Sequence, residues 1–417
     1  MLNKSPRNKH VLIVLMLSVM LLLATTLVAC AAPNQELYDK TKTAQAEVLK
    51  NLETVVNIES PTGYEKGLTE MGDFMVQQLQ ELGATVETVP ATGTAVGFNI
   101  IATFQGTGTG NTLMLAHMDT VHKVGSVAER PFRIENGKAY GPGVSDDKGG
   151  LILGLQALKL IKEMNYTNFG KITYLINCDE EKGSFGSRDL IMEKAKDSNY
   201  AIGLEPGIPG DEIMSWRKGI GYYFVEVKGQ SAHAGIEPEK GRNAVMELAH
   251  QVLQLSKLGD EKKMTSINFT IFQAGGVSNI IPDYAKAQAD VRVLYPDEYS
   301  RLEKAMNEVA KNKLIPGTEV KITAKQGRPP FPKSPQSEAF AAKFATIYNE
   351  LGLKLNIVGS GGGSDANYAA SVGATSVDGL GIIGGGDHTP QEYIDIESIP
   401  PRLYMLTKML MDINNQK

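Results

Sequence analysis

Histidine is scarce in this chain, six in 417 residues, and one of them, His117, stands at the end of an apolar run, LMLAHMDTV, with Asp119 two residues on. Side chains at i and i+2 share one face of a strand, so this carboxylate can hydrogen-bond the second imidazole nitrogen and fix its tautomer. Alone, the pair reads equally well as a satisfied strand-end histidine or as a metal ligand with its orienting acid. A second feature is GPGVSDDKGG, residues 141–150, where Asp146 and Asp147 adjoin in a glycine-rich loop ahead of an apolar helix. Adjacent acids repel unless a cation or strong donors hold them. By itself the pair reads as a helix N-cap, and the spacing excludes a Walker phosphate loop, since Lys148 is followed by glycine.

The third feature is CDEEKGSFGS, in which Asp179, Glu180 and Glu181 directly follow an apolar strand. A charge run at the end of an interior strand needs a counter-charge, whereas one on a helix face does not. Glu205 in GLEPG and His388 in GGGDHTP again sit at the end of an apolar run and in a glycine turn. Together these are oxygen and imidazole donors without cysteine, the set that suits zinc or a similar divalent ion.

The elements that must position them alternate between strand and helix. Helical apolar spacing runs over Leu37 to Ile58, Tyr64 to Leu82 and Gly150 to Met164. Strand patterns run over Thr85 to Val89, Phe98 to Phe104, Thr112 to Ala116 and Lys171 to Cys178. That alternation predicts an α/β catalytic layer with a mostly parallel central sheet. From Gly219 the order becomes strand, helix, two strands, helix, strand, the split βαβ of a ferredoxin-like α+β unit. The proline-rich GRPPFPKSP, residues 327–335, then reads as a hinge back to the first domain. The expected organisation is catalytic segment 37–218, inserted lid or dimerisation domain 219–327, and catalytic segment 328–417.

Residues 1–29 carry three basic residues, an apolar run and a small-residue ending before Cys30. That is the layout of a signal peptide, excluded from fold reasoning. The ending LVAC resembles a bacterial lipoprotein signal, which implies cleavage before Cys30, lipid on its sulfur, a tether over residues 30–36, and an exported protein anchored on the outer face or in the periplasm. Removing residues 1–29 leaves 39 basic against 47 acidic residues, a net charge of −8. With no long basic run, nucleic acid is not an expected partner. Only Cys178 then remains, so no intramolecular disulfide is available, and its apolar strand points to a buried inert thiol.

These motifs resemble the zinc metallopeptidase family of glutamate carboxypeptidase (carboxypeptidase G), acetylornithine deacetylase and succinyl-diaminopimelate desuccinylase. The glutamate carboxypeptidase branch is matched by GPGVSDDKGG, DEEKGSFGSRDLI, SAHAG, VSNIIP followed by ADVR, GGGSDANYAA and EYIDIESIPPRLYM. The resemblance implies two zinc ions bridged by Asp146, with His117 and Glu205 on one, Glu181 and His388 on the other, and a cis peptide between Asp146 and Asp147. It makes Glu180 the general base and Asp119 the partner of His117. Three ligand carboxylates against two Zn²⁺ leave one positive charge, which one hydroxide neutralises. His233 in SAHAG is implied to stabilise an oxyanion in the partner's site of a homodimer joined through the inserted domain. Arg292, Asn279 and Arg328 match groups that bind substrate carboxylate or carbonyl.

One departure bears on specificity: Ile213 stands where the glutamate-specific relatives carry lysine, which leaves either Arg217 and Lys218 to compensate or a pocket for an apolar residue. The expected reaction is amide hydrolysis of an N-acyl amino acid or short peptide, releasing a C-terminal amino acid such as glutamate. A deacylase or a di- or tripeptidase of the same family is the alternative, and a solute-binding lipoprotein is the alternative outside enzymes. The retained Glu180 argues against a pure binder, which has no use for a base beside a metal set.

Overall fold

The structure, a computed structural model, describes residues 32–413. The signal segment and Cys30 lie outside them. Among the described residues no helix is long and apolar enough to cross a membrane.

The central sheet has six strands in the order Thr85–Pro90, Phe98–Gln105, Lys171–Asn177, Asn111–His117, Tyr200–Gly203, Thr375–Val377. The last four are mutually parallel, and the first two form an antiparallel edge. Both faces of the parallel part are covered, which is why these strands read as unbroken apolar runs. Along Asn111–His117, Met114 and Ala116 pack into the large core with the helices Gln35–Val56, Lys148–Glu163 and Ile399–Asp412. Leu113 and Leu115 face the other side, against Ile191, Tyr368 and Ala369.

The chain leaves this layer at Lys218. The strand Gly219–Lys228 opens a four-stranded antiparallel sheet with Ser266–Ala274, Tyr284–Val293 and Glu319–Gln326, the second and third strands joined as a hairpin. The helices Ala244–Leu255 and Asp297–Val309 cover one face only. Hence Tyr223, Val225 and Val227 are buried while Tyr222, Phe224 and Glu226 between them are half-exposed, a period of two that the sequence carries visibly.

A short strand, Glu212–Arg217, was not anticipated. It pairs in parallel with Asn356–Ser360, and Ile213 in it is fully buried. Ile213 is therefore a core residue with no exposed surface of its own to offer a ligand.

Candidate metal centre

The functional side chains gather at the carboxyl ends of the parallel strands. His117 ends its strand, Glu180 and Glu181 follow Asn177 in a 3₁₀ turn, and Glu205 lies two residues beyond Gly203. Open parallel sheets place ligands at this edge, because successive loops converge there. Asp146 and His388 arrive on glycine-rich loops. Close approach demands those glycines: a Cβ on Gly150 would lie 1.9 Å from the Leu204 carbonyl oxygen and 2.2 Å from Asp147 Oδ1. His388 itself adopts a left-handed φ of 63°, uncommon outside glycine.

Asp146 sits between the two histidines. Its Oδ1 is 3.0 Å from His117 Nε2 and its Oδ2 3.1 Å from His388 Nε2. Glu181 Oε2 lies 3.3 Å from His388 Nε2, and Glu205 Oε1 3.9 Å from His117 Nε2. Among the described residues two groups have donor atoms within 4.8 Å of one another: His117, Glu180 and Glu205, and Asp146, Glu181 and His388. The peptide bond between Asp146 and Asp147 is cis.

Asp119 orients this arrangement from behind. His117 Nδ1 lies 3.3 Å from its carboxylate and 3.0 Å from its carbonyl oxygen. The same carboxylate accepts the backbone N–H groups of Glu180 and Glu181 at 3.0 and 3.2 Å and the Thr62 hydroxyl at 2.7 Å. Asp147 holds the N-cap position of the helix Lys148–Glu163 yet makes no side-chain cap bond. Instead its Oδ2 accepts from the His117 backbone N–H at 3.3 Å.

The electrostatics show a shortage of positive charge. Burial pushes Glu180 up to about 8 against the pull of Arg328 and His117. Burial, with Glu180 and Asp146 as neighbours, drives Glu205 well above the usual carboxylate range. Burial also raises Glu181. Burial lowers His117, but hydrogen bonds to Asp119 and Asp146 outweigh it and hold the imidazole well above its ordinary value. Hydrogen bonds to Asp146 and Glu181 raise His388 to about 10. All five shifts favour the protonated form, the direction expected of acids and imidazoles crowded together without a cation among them. Glu181 Oε1 is, moreover, a buried oxygen with no hydrogen-bond partner. An orphaned carboxylate oxygen inside an all-oxygen and imidazole donor set fits a divalent ion of the zinc class.

The remaining residues named from sequence lie elsewhere. Arg328, expected at a substrate carboxylate, is 4% exposed and already engaged. Its guanidinium pairs with Glu180 Oε1 at 2.7 Å and Asp365 Oδ1 at 2.9 Å, and donates to the Glu180 carbonyl oxygen at 2.6 Å. In this conformation it supports Glu180 and presents nothing to a substrate. Arg292 is bidentate to Asp290 at 2.8 and 3.0 Å, with its other nitrogen 3.1 Å from the Gly361 carbonyl oxygen. His233 and Asn279 are both exposed and adjoin at one end of the inserted domain, where the Ala234 N–H donates to the Asn279 carbonyl oxygen at 2.8 Å. His233 Nδ1 accepts from the N–H groups of Gly235 and Ile236, leaving Nε2 as the outward-facing nitrogen. Neither residue hydrogen-bonds to the acidic cluster within one chain.

Sequence reasoning missed Glu392 and set His122 aside as structural. The two form a buried pair, His122 Nε2 to Glu392 Oε2 at 2.6 Å. The signals in the sequence were an acid four residues beyond His388 and its place as the first residue of the motif EYIDIESIPPRLYM. Cys178 is buried, and burial pushes its thiol far up, in keeping with an inert thiol.

Residues 113–412 match the family model described as Peptidase family M20/M25/M40. The chain is 42% identical over 402 residues to carboxypeptidase G2 of Pseudomonas sp. (strain RS-16), covering 95% of this chain and 97% of that one. A solved tripeptidase from Staphylococcus aureus subsp. aureus Mu50 superposes with a TM-score of 0.78 at 25% identity, over 89% of this chain and 99% of that one. Aminopeptidase PepT from Bacillus cereus ATCC 10987 superposes with a TM-score of 0.77 at 24% identity, over 88% and 98%, a likeness of fold.

Proposed function

Because the chain belongs to peptidase family M20/M25/M40, we propose that its centre holds two zinc ions and hydrolyses the amide bond of an N-acyl amino acid or short peptide, releasing a C-terminal amino acid. It is a metallopeptidase of carboxypeptidase type; the identity and number of the ions and the residue released are this reading's own. The observation that carries it is Asp146, with one carboxylate oxygen on His117 and the other on His388.

In this assignment His117 and Glu205 would hold one ion and Glu181 and His388 the other, with Asp146 available to both. Divalent metal bound there supplies Lewis-acid polarisation of the scissile carbonyl and activation of water near neutral pH. Glu180, which the donor distances also place beside His117 and Glu205, is left for proton transfer. It takes a proton from the attacking water and returns it to the leaving nitrogen, with Arg328 fixing its carboxylate. Asp119 keeps the His117 ring turned so that Nε2 faces the site.

The free carboxylate of the substrate is assigned to Arg292 and Lys218. Arg292 is paired with Asp290 but, unlike Arg328, keeps 28% of its side chain exposed, and Lys218 is lowered by partial burial and by the positive charge of Arg292. Arg217 cannot share this role, since its Nε lies 2.6 Å from buried Asp378. Zinc-loaded protein assayed against N-acyl amino acids and dipeptides varied at the C-terminal residue, with and without chelator, tests the reading. Chelator-sensitive release favouring glutamate supports the full proposal, and release favouring apolar residues moves the specificity. Release of N-terminal residues instead favours an aminopeptidase-type di- or tripeptidase, and binding without turnover a solute-binding role.

The proposal extends to assembly and address. Exposed His233 and Asn279 at one end of the inserted domain fit a site completed by a partner copy, and a mass near one chain by light scattering ends that part. Lipidation at Cys30 rests on the sequence of residues 1–30. A Cys30→Ala variant that stays with the membrane fraction would remove it.

A further inference from the structure

Of the segments that bring ligands to the centre, one buried side chain ties two together, and its own backbone continues a third. Glu392 is 2% exposed. Its Oε1 accepts the backbone N–H groups of Ser145 at 2.9 Å and Asp146 at 3.0 Å. Its Oε2 accepts the Gly143 N–H at 2.9 Å and His122 Nε2 at 2.6 Å. The carboxylate thus binds the backbone of the Asp146 loop at three points, including the N–H of Asp146 itself. Through His122 it reaches the segment that continues from His117 and Asp119, and its own backbone continues the loop of His388. Four donors on two oxygens fill a carboxylate's acceptor capacity in a buried place, where each charge-assisted bond is strong and a lost one is costly.

We propose that Glu392 is the positioning residue that sets the bridging Asp146 against His388, with His122 as its anchor; this rests on the metal-centre reading above. Neither residue lies in either group of ligand atoms. Glu392 acts on the backbone that carries Asp146, fixing where that carboxylate stands before any ion arrives. An amide in its place keeps the shape but turns an NH₂ toward backbone N–H groups, so at least one of the four donors loses its acceptor. The spacing between the two ligand groups then loosens while the surrounding core is untouched. Partners of this kind alter metal affinity by about 10- to 100-fold in metal sites generally.

The test is zinc titration of the metal-free full chain, wild type beside Glu392→Gln and His122→Ala, together with melting temperatures of the metal-free proteins and steady-state kinetics after zinc loading. Glu392→Gln is expected to bind zinc about 10- to 100-fold more weakly. Its kcat should fall while KM holds, and the metal-free melting temperature should drop by no more than the loss of one or two buried hydrogen bonds explains, so that affinity and kcat change out of proportion to stability. His122→Ala, which removes one bond of four, should fall near the lower end of that range, and it decides the matter if Glu392→Gln does not fold. Unchanged zinc affinity and kcat in the folded variants, or a lowered melting temperature with affinity intact, overturns the positioning role. A wild-type chain that binds no divalent metal overturns instead the reading on which it rests.

Discussion

Two regions of this molecule bury glutamates and treat them in opposite ways. In the inserted domain Glu298 is fully buried and satisfied by the protein alone. It accepts from Arg301 at 2.7 to 3.0 Å, Lys263 at 2.7 Å and Thr265 at 2.8 Å. Burial pushes it up, but those bonds outweigh burial and pull it down to about 2. At the end of the parallel sheet Glu180, Glu181 and Glu205 share a site in which Arg328 is the guanidinium paired with Glu180, and all three are pushed up. The same residue type is driven in opposite directions by the balance between burial and the bonds the chain provides: three donors outweigh burial at Glu298, whereas burial outweighs Arg328 at Glu180 and His388 at Glu181. A structural acid comes with its counter-charge, whereas a functional acidic cluster is left short of positive charge, and the shortage marks where an external ion belongs.

The largest effect that would break this comparison is removal of the external charge. Treatment with a strong chelator should abolish turnover, and added zinc should restore it. Turnover that persists in protein shown by elemental analysis to be metal-free would mean that the acidic cluster is balanced by its own protons. Next comes the proton carrier: Glu180→Gln is expected to lower kcat by about 10²- to 10⁴-fold with little change in KM, and undiminished turnover would remove Glu180 from the mechanism.

The guanidinium of Arg328, built into the cluster, sharpens the contrast further. Arg328→Met leaves Glu180 and Asp365 buried without their partner, so urea unfolding should show a loss of about 3–5 kcal/mol. A loss below about 1 kcal/mol would show that the pair is no more than a surface-type bridge. Glu298→Gln should cost less, about 1–2 kcal/mol near pH 7, because Lys263 and Arg301 are partly in solvent. Here the pH dependence has a definite sign. The native value of about 2 lies below the ordinary 4.5, so the stabilisation is present above 4.5 and fades as pH falls toward 2. The difference in urea midpoint between wild type and Glu298→Gln should accordingly shrink between pH 6 and pH 3, and a difference that grows on acidification would reverse the reading. The smallest effect is expected at Cys178, buried with its thiol pushed far up. Alkylating reagents should leave activity unchanged over times in which an exposed thiolate reacts, and inactivation with label on Cys178 would contradict that.

Much of the centre was legible as residue types in particular places. His117, Asp146, Glu181, Glu205 and His388 could each be singled out because an ionisable group at the end of an apolar strand or in a glycine turn has no cheap structural explanation. The period of two was plain at Tyr223, Val225 and Val227, whereas Leu113 to Ala116 form an unbroken apolar run whose two faces only the structure separates. The failures have a common cause in sequence distance. The strand Glu212–Arg217 is recognised only through its partner Asn356–Ser360, more than a hundred residues later. That pairing makes Ile213 part of the core, a fact its local sequence does not carry. Arg328 looked like a substrate ligand until the hinge carried it to Glu180, and Glu392 looked like an ordinary acid before a strand.

The amino-acid sequence by itself determined which chemistry was possible: the donor set, its lack of cysteine, the base beside the ligands and the alternation of elements that makes a parallel sheet. These follow from residue type and short-range period, which are local properties. Only the tertiary structure decided which acids received protein partners and which did not. Whether Glu392 meets three backbone N–H groups, whether Arg328 faces a substrate or Glu180, and whether Asp146 stands between two histidines depend on segments brought together across hundreds of residues. A hydrogen bond exists only where its donor and acceptor arrive within about 3 Å of each other.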